Sequence, residues 1–246
     1  NVFSDINNYS NIIQYQGSWS DVEIFNNKYH IILTEHAKFG DLFDHLSTNY
    51  DDFTLQDLKK IFLQILSGLK ELNRNGWAHR DLKPENVVIT SLYPIQVKLI
   101  DFEFASREDY SKRQLGTSSH VSPQIIQNLE YDLNKNDIWS LGVLFFCLYT
   151  KNRPYNSPDK MKDPTYKCEW LKTIKEERWD EYWISIDVNY KKDINPLLLD
   201  KNGNIQEDFK DLIERMLSWD ERKRDSLYYI ITHPFFNEVR SRKRKI

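Results

Sequence analysis

Hydrophobic residues follow two different spacings along the chain, and these spacings predict strands first and helices afterwards. Near the start, short apolar runs at 12–15 and 29–33 are separated by polar, Asn-containing residues, which is typical of two strands joined by a loop. From Gly40 onward the spacing turns helical. One helix is marked by apolar residues that recur every three or four positions, namely Phe62, Ile65, Leu66, Leu69 and Leu72. The pair Asn75-Gly76 predicts where this helix ends.

The second half of the chain is predominantly helical in its pattern. A short pair of strands is predicted first, at 87–89 and 97–100, around a turn at 91–94. Helices are then predicted at 136–149, 168–177, 206–217 and 227–232. Strands first and helices afterwards favour an α+β fold, in which the helices are segregated from the sheet.

Composition and charge narrow the function classes. The net charge of −3 comes without a broad basic field, so we expect no nucleic-acid partner. The longest apolar run, 141–149, is too short to cross a bilayer, so we expect a buried helix and no membrane association. Cys147 and Cys168 lie far apart without metal-ligand spacing, which favours a reducing compartment. We therefore expect a cytoplasmic location, with a nuclear one as the alternative because of the basic tail at 240–246.

The strongest chemical signal is one octapeptide, which reads His79-Arg80-Asp81-Leu82-Lys83-Pro84-Glu85-Asn86. It resembles the catalytic loop H-R-D-x-x-x-x-N of eukaryotic protein kinases. The segment Asp101-Phe102-Glu103 follows an apolar strand and resembles the D-F-G motif of that family. The resemblance implies that Asp81 accepts the proton of the acceptor hydroxyl, and that Asn86 and Asp101 bind Mg²⁺.

Three further motifs follow in the order of the kinase family. Residues 116–124 resemble G-T-x-x-Y-x-A-P-E, Asp137 begins a D-I-W-S-L-G segment, and residues 220–236 resemble the end of the domain. The chain is therefore identified as a member of the serine/threonine protein kinases, similar to the calcium/calmodulin-dependent and AMP-activated group. The resemblance implies transfer of the ATP γ-phosphate to a Ser or Thr hydroxyl of a protein substrate. It also implies a two-lobe kinase-like fold, here mainly the helical C-lobe.

Particular residues receive roles through this resemblance. Lys83 is typical of serine/threonine kinases, and it is expected to neutralise charge on the transferring phosphoryl group. Thr117 is expected to hydrogen-bond to both Asp81 and Lys83. The remaining expected cofactor-binding residues are those around the adenine and ribose of ATP, namely Thr34 as gatekeeper, the Glu35 carbonyl, the Ala37 amide, Asp41, Val88 and Ile100.

The resemblance also implies boundaries. Residues 1–36 correspond to the last part of the N-lobe (the end of helix C and strands four and five), 37–239 to the C-lobe, and 240–246 to a basic tail. No Gly-rich loop, strand-three Lys or helix C Glu is recognised within the 246 residues. Because the first residue is Asn, we expect the sequence to be a piece of a longer protein that carries these parts upstream.

Several positions depart from the family pattern. Glu103 stands where the family has Gly, and Gln124 stands where it has Glu. These two changes motivate an alternative function, that of a pseudokinase acting as a scaffold or allosteric partner. Arg113 occupies the usual phosphate-acceptor position of the activation segment. We therefore expect that ordinary loop phosphorylation does not switch the protein, and that Arg80 contacts Glu108 or Asp109 instead.

Other polar and aromatic residues have simpler interpretations. His79, Phe102 and Tyr15 are expected to belong to the packed hydrophobic spine of the family rather than to bind ligands. The segment 200–204 is read as a turn before a helix rather than a calcium loop. Glu85 and Asp41 lie at positions that recognise basic residues in related kinases, which predicts a basic acceptor sequence.

Overall fold

The computed structural model describes residues 2–156, 168–237 and 239, so the basic tail predicted at 240–246 lies outside the described residues. Strands form three separate antiparallel pairs. Their bounds are β1 Tyr15–Ile24, β2 Asn27–Thr34, β3 Val87–Leu92, β4 Ile95–Leu99, β5 Tyr110–Ser111 and β6 Tyr131–Asp132. The helices in the first half of the chain are α1 Val2–Ile6, α2 Leu42–Asn49, α3 Leu55–Arg74 and α4 Pro123–Ile126. Those in the second half are α5 Leu133–Thr150, α6 Glu169–Lys175, α7 Trp179–Tyr190, α8 Glu207–Met216 and α9 Leu227–Thr232.

The hairpin of β1 and β2 corrects one expectation. The first strand was predicted at 12–15, but it begins at Tyr15 and pairs with β2 as far as Ile24 opposite Asn27. Ile12 forms only a single parallel bridge with Leu99 and is buried, as is Ile13. These isoleucines are apolar because they lie in the core. β1 itself carries exposed polar residues. The apolar run at 12–15 therefore indicated buried residues of the core and not the position of the strand.

Helix α3 and the β3–β4 pair agree closely with the expected pattern. Thr54 and Asp57 form a capping box at the start of α3, which satisfies backbone N–H groups that have no partner within the helix. The helix ends at Arg74, directly before the predicted Asn75-Gly76. β3 and β4 are longer than predicted, and their turn is reduced to Tyr93 and Pro94. The catalytic-loop motif lies between α3 and β3.

Helix α5 forms the centre of the core. Its residues are buried on nearly all sides, which explains why its sequence is apolar without a polar face. Phe145 stacks on Phe62 of α3 with ring centroids 3.7 Å apart. A Cβ atom at Gly142 would lie 2.9 Å from both Met216 and Leu217, so the close contact of α5 with α8 requires glycine.

The remaining predicted helices are present as α6, α8 and α9. The residues expected to form a turn before α8 do so, because the Asp200 carboxylate accepts the backbone N–H groups of Asn202 and Asn204 at 2.8 Å. Within the described part of the chain, no helix combines the length and apolar character that a membrane span needs.

Candidate active site

Asp137 holds the start of the catalytic loop in place. Its two carboxylate oxygens accept the backbone N–H groups of His79 and Arg80, each at 2.7 Å. Burial raises the pKa of Asp137 to about 7, although the two backbone hydrogen bonds oppose that rise. The contact joins helix α5, where Asp137 lies in the first two turns, to residues far away in sequence. Because the loop is attached through its backbone, the side chains that follow it acquire defined positions.

Asp81 is the centre of a network of hydrogen bonds. One carboxylate oxygen, Oδ1, accepts the backbone N–H and the hydroxyl of Thr117, both at 2.8 Å. The other, Oδ2, lies 2.8 Å from Lys83 Nζ and 3.0 Å from Asn86 Nδ2. Lys83 Nζ also donates to the Thr117 hydroxyl at 2.8 Å. The structure thus brings together the three residues expected to be catalytic.

The network keeps Asp81 ionised at neutral pH. Burial raises the pKa of Asp81, but hydrogen bonds from Lys83 and Thr117 and the charge of Lys83 outweigh burial, so the net pKa lies below the usual 3.8. The preceding Gly116 makes this approach possible. It has a φ of 101°, and a Cβ atom there would lie 2.6 Å from the Arg80 carbonyl oxygen.

Asn86 and Asp101 offer the oxygen ligands that a hard cation prefers. Asn86 Nδ2 donates to the Asp81 backbone and carboxylate, which leaves the amide oxygen of Asn86 available. Asp101 is exposed and follows β4 with a φ of 61°. No group of three or more His, Cys, Asp or Glu side chains suited to a metal occurs in the described ranges.

A cleft of about 770 Å³ adjoins Asp101 and lies within the size range of small-molecule sites. All six residues expected to bind the nucleotide line it, namely Thr34, Glu35, Ala37, Asp41, Val88 and Ile100. The backbone N–H of Ala37 has no hydrogen-bond partner among the described residues, and the Glu35 carbonyl accepts only a 3.2 Å contact from the Thr34 hydroxyl. Backbone groups at this edge are therefore available to a flat heterocycle. Asp41 uses one carboxylate oxygen to cap α2 through the Asp44 N–H at 2.8 Å.

Comparison with known sequences agrees with this geometry. The family model for the protein kinase domain matches residues 1–236. The chain belongs to the protein kinase domain family. Its resemblance to serine/threonine kinases is confirmed, as is the helix-rich α+β fold, and membership of the family implies ATP and a divalent metal ion.

Individual relatives of this kinase domain carry related names. The human SNF-related serine/threonine-protein kinase is 29% identical over 85% of this chain and 24% of its own length. The serine/threonine-protein kinase cds1 of Schizosaccharomyces pombe is 30% identical over 88% of the chain and 44% of its own length. Calcium-dependent protein kinase 4 of Plasmodium falciparum is 31% identical over 55% of the chain and 26% of its own length. The chain thus spans less than half the length of these relatives.

Four aromatic rings of the kinase domain contact one another in sequence beside the catalytic loop. Phe3 of α1 stacks on Tyr15 at 5.0 Å and meets Phe102 edge-on at 5.6 Å. The Phe102 ring lies 5.3 Å from that of His79, whose Nε2 lies 3.1 Å from the Ile100 carbonyl. The packing expected of Tyr15, Phe102 and His79 is present. The sequence did not single out Phe3 as the connecting ring, because a lone phenylalanine on a short helix carries no signal of its own.

The two departures from the family motifs are accommodated locally. Glu103 is not among the residues with positive φ, whereas Asp101 is, so the backbone at Glu103 does not need glycine. Gln124 Oε1 accepts a hydrogen bond from Arg224 at 2.7 Å, and Gln124 Nε2 donates to the Trp219 carbonyl at 2.8 Å. Burial lowers the pKa of Arg224 to about 9. Gln124 thus keeps a hydrogen bond to Arg224 without carrying a negative charge.

Arg80 has different partners from those expected. It was predicted to contact Glu108 or Asp109, but its guanidinium donates to the Tyr131 hydroxyl at 2.9 Å and contacts the Phe104 carbonyl at 3.5 Å. Burial explains the difference, since Arg80 is buried whereas Glu108 and Asp109 are exposed at the surface.

The Tyr131 hydroxyl also connects Arg80 to the activation segment. It donates to the Arg113 carbonyl at 2.9 Å, and Arg113 is the residue at the usual phosphate-acceptor position. The β5–β6 pair holds the same segment, with Ser111 opposite Tyr131. Tyr131 therefore links the catalytic loop to the activation segment through two hydrogen bonds of its hydroxyl, one accepted from Arg80 and one donated to the Arg113 carbonyl. Its spacing within the sequence motifs gave no indication of this contact.

Proposed function

We propose that this chain carries most of the catalytic site of a serine/threonine protein kinase, which transfers the γ-phosphate of ATP to a Ser or Thr hydroxyl of a protein. The observation that supports this most directly is the Asp81 network. An ionised carboxylate is held by Thr117, Lys83 and Asn86, and Asn86 leads directly into β3, whose Val88 lines the nucleotide cleft. Such an arrangement suits hydroxyl activation next to a bound phosphate.

In this proposal each side chain has a separate role. Asp81 orients the acceptor hydroxyl and takes up its proton, a contribution of roughly 10²–10⁴-fold for groups of this kind. Lys83, whose ammonium lies 2.8 Å from Asp81, stabilises negative charge on the transferring phosphoryl group. Asn86 and Asp101 would hold Mg²⁺, which when bound neutralises charge on the ATP phosphates.

The cleft is proposed to bind the rest of the nucleotide. The Ala37 N–H and the Glu35 carbonyl would hydrogen-bond to adenine, and Asp41 would contact the ribose. Val88 and Ile100 provide apolar walls for the ring. Thr34 lines the cleft, and its small side chain would leave room behind adenine.

The deciding experiment is phosphate transfer by the full-length parent protein. Labelled ATP and a generic protein substrate should give a product phosphorylated on Ser or Thr, and the Asp81→Asn variant should lose at least about 100-fold in rate. Asp101→Asn should raise the Mg²⁺ concentration needed for half-maximal rate while leaving the melting temperature near that of the wild type. Equal phosphate transfer by wild type and Asp81→Asn, or none by either, would favour the pseudokinase alternative that Glu103 and Gln124 suggested.

A further inference from the structure

A second cavity adjoins the proposed catalytic site. It has a volume of about 370 Å³ and is lined by Pro84 and Glu85 of the catalytic loop. Glu85 also lines the nucleotide cleft, so the two cavities share a wall. The other side of the second cavity is formed by α2 and by the residues at and just beyond the end of α5. We call it the lower cavity.

The charged side chains that line the lower cavity are two cations, Lys151 and Arg153, and one carboxylate, that of Glu85. Arg153 is exposed and has no hydrogen bond or ion pair with any residue the structure describes. Lys151 Nζ lies 4.2 Å from the centre of the Tyr50 ring and 4.0 Å from an oxygen of Asp51, whose side chain is 88% exposed. An ion pair this long and this exposed contributes little, so the Lys151 charge stays available to a ligand. The carboxylate is that of Glu85, which is itself exposed.

A buried histidine adds an unpaired polar atom. His120 lines the lower cavity and is 5% exposed, and its Nε2 has no hydrogen-bond partner in the described part of the chain. Burial and the charge of Arg153 lower the pKa of His120 to about 4, so the ring is neutral at pH 7. Ser119 Oγ lies 3.1 Å from Nδ1. When that hydroxyl donates, the ring proton is on Nε2, which is then a donor without an acceptor.

We propose that the lower cavity binds an anionic side chain of the acceptor polypeptide, a carboxylate or a phosphomonoester, and that Arg153 determines this preference. The proposal rests on the proposed function, because the polypeptide that fills a cavity against the catalytic loop is the one that presents its hydroxyl to Asp81. A guanidinium suits this role, since its planar donors match the two oxygens of a carboxylate or phosphate.

This proposal differs from the prediction made from sequence. That prediction, a basic acceptor sequence, depended on Glu85 and Asp41 alone. Asp41 uses one of its oxygens to cap α2, and Glu85 shares its cavity with Lys151 and Arg153. The side chains that line the lower cavity therefore carry two positive charges and one negative charge, and Arg153 is the cation without a carboxylate partner among the described residues. This arrangement favours an anionic side chain over a basic one.

Binding of labelled peptides to the full-length protein tests this directly. One serine peptide is made with Asp, phosphoserine, Ala or Arg placed in turn at each position near the serine, and its dissociation constant is measured by fluorescence anisotropy. At one position or more, a peptide with an anionic residue should bind about three- to fivefold more tightly than the Ala peptide, the upper part of the range for one exposed ion pair. Comparison of the Asp and phosphoserine peptides distinguishes the two sources of negative charge.

Variants assign the effect to the cavity. Arg153→Ala should reduce the anionic preference to below about twofold while leaving the Ala peptide unaffected, and Arg153→Lys should keep part of it. Arg74→Ala is the matched control, because Arg74 is an exposed arginine whose ion pair is with Glu71 on its own helix. It should keep the full preference.

Two results would overturn the proposal. One is an unchanged anionic preference in Arg153→Ala, and the other is tightest binding of the Arg peptides by the wild type. Failure of the proposed function would give a different result. A protein without phosphate transfer that still prefers anionic peptides through Arg153 would refute the proposed function but not the peptide preference.

Discussion

Replacing Thr117 by valine tests the Asp81 network with little change in shape. The hydroxyl donates to Asp81 Oδ1 and accepts from Lys83 Nζ, both at 2.8 Å. Valine has nearly the same volume but no hydroxyl. The backbone N–H of residue 117, which lies 2.8 Å from Asp81 Oδ1 in the wild type, would still donate to Asp81. Lys83 would also keep its direct contact with Asp81 at 2.8 Å. The variant therefore removes the contacts of one hydroxyl and leaves the rest of the network in place.

The size of the effect follows from the charge of the partners. A hydrogen bond to a charged group contributes about 1.5–3 kcal/mol. If one such contact is lost from the transition state, kcat should fall by about 10- to 140-fold, at about 1.4 kcal/mol for each factor of ten. The pKa of Asp81 should rise as well, because the hydrogen bond from Thr117 is one of the contacts that lower it. Since the pKa of Asp81 starts below 3.8, Asp81 should stay ionised in the variant too, and the loss in kcat should be nearly the same from pH 5 to pH 8.

The assay is steady-state phosphorylation of a serine peptide by the full-length protein, with kcat and KM measured from pH 5 to pH 8. Thr117→Ser is the control, because it keeps the hydroxyl and should stay within about threefold of the wild type in kcat. Melting temperatures show whether each variant is folded. A Thr117→Val enzyme with wild-type kcat, or a Thr117→Ser enzyme as slow as Thr117→Val, would refute the role assigned to the hydroxyl.

Three further predictions concern other parts of the domain. Thr34→Phe should weaken ATP-competitive inhibitors with a bulky group behind adenine by at least about tenfold, since the larger ring fills that space; unchanged inhibition constants would contradict this placement of Thr34. The pKa of His120 is about 4 in the fold against an ordinary 6.5, so between pH 6.5 and pH 4 the unfolded chain takes up a proton that the fold excludes. The free energy of unfolding, measured with urea, should fall over that range by up to about 3 kcal/mol more in the wild type than in His120→Gln, and parallel pH profiles would contradict this. Tyr131→Phe should reduce kcat severalfold, because Arg80 loses its link to the activation segment, and a wild-type kcat would contradict this. Ser111→Ala should retain activity, and a phosphate on Ser111 that proved necessary for activity would contradict that expectation.

The sequence determined the parts of this protein that depend on neighbouring residues. The octapeptide at 79–86 carries Asp81, Lys83 and Asn86 within a few positions, so recognising it located much of the candidate site at once. Helix α3 was visible because its apolar face repeats every three or four residues over five turns. The turn at 200–204 was visible because a short acidic side chain next to Asn and Gly can bond to its own backbone.

Tertiary structure decided the contacts that join distant segments. The Tyr131 hydroxyl meets Arg80 across 51 positions of sequence, and Phe3 meets Phe102 through packing alone. The first strand was misplaced for a similar reason, because Ile12 and Ile13 are apolar to fill the core and not to form a ladder.

The lower cavity likewise exists only once α2, the catalytic loop and the end of α5 are packed together, which places Arg153 beside His120. Periodicity and motifs depend on residues that are close together in the sequence, so they predict local structure. Which distant partner supplies a hydrogen bond, or leaves a charge unpaired, is decided by how the elements pack.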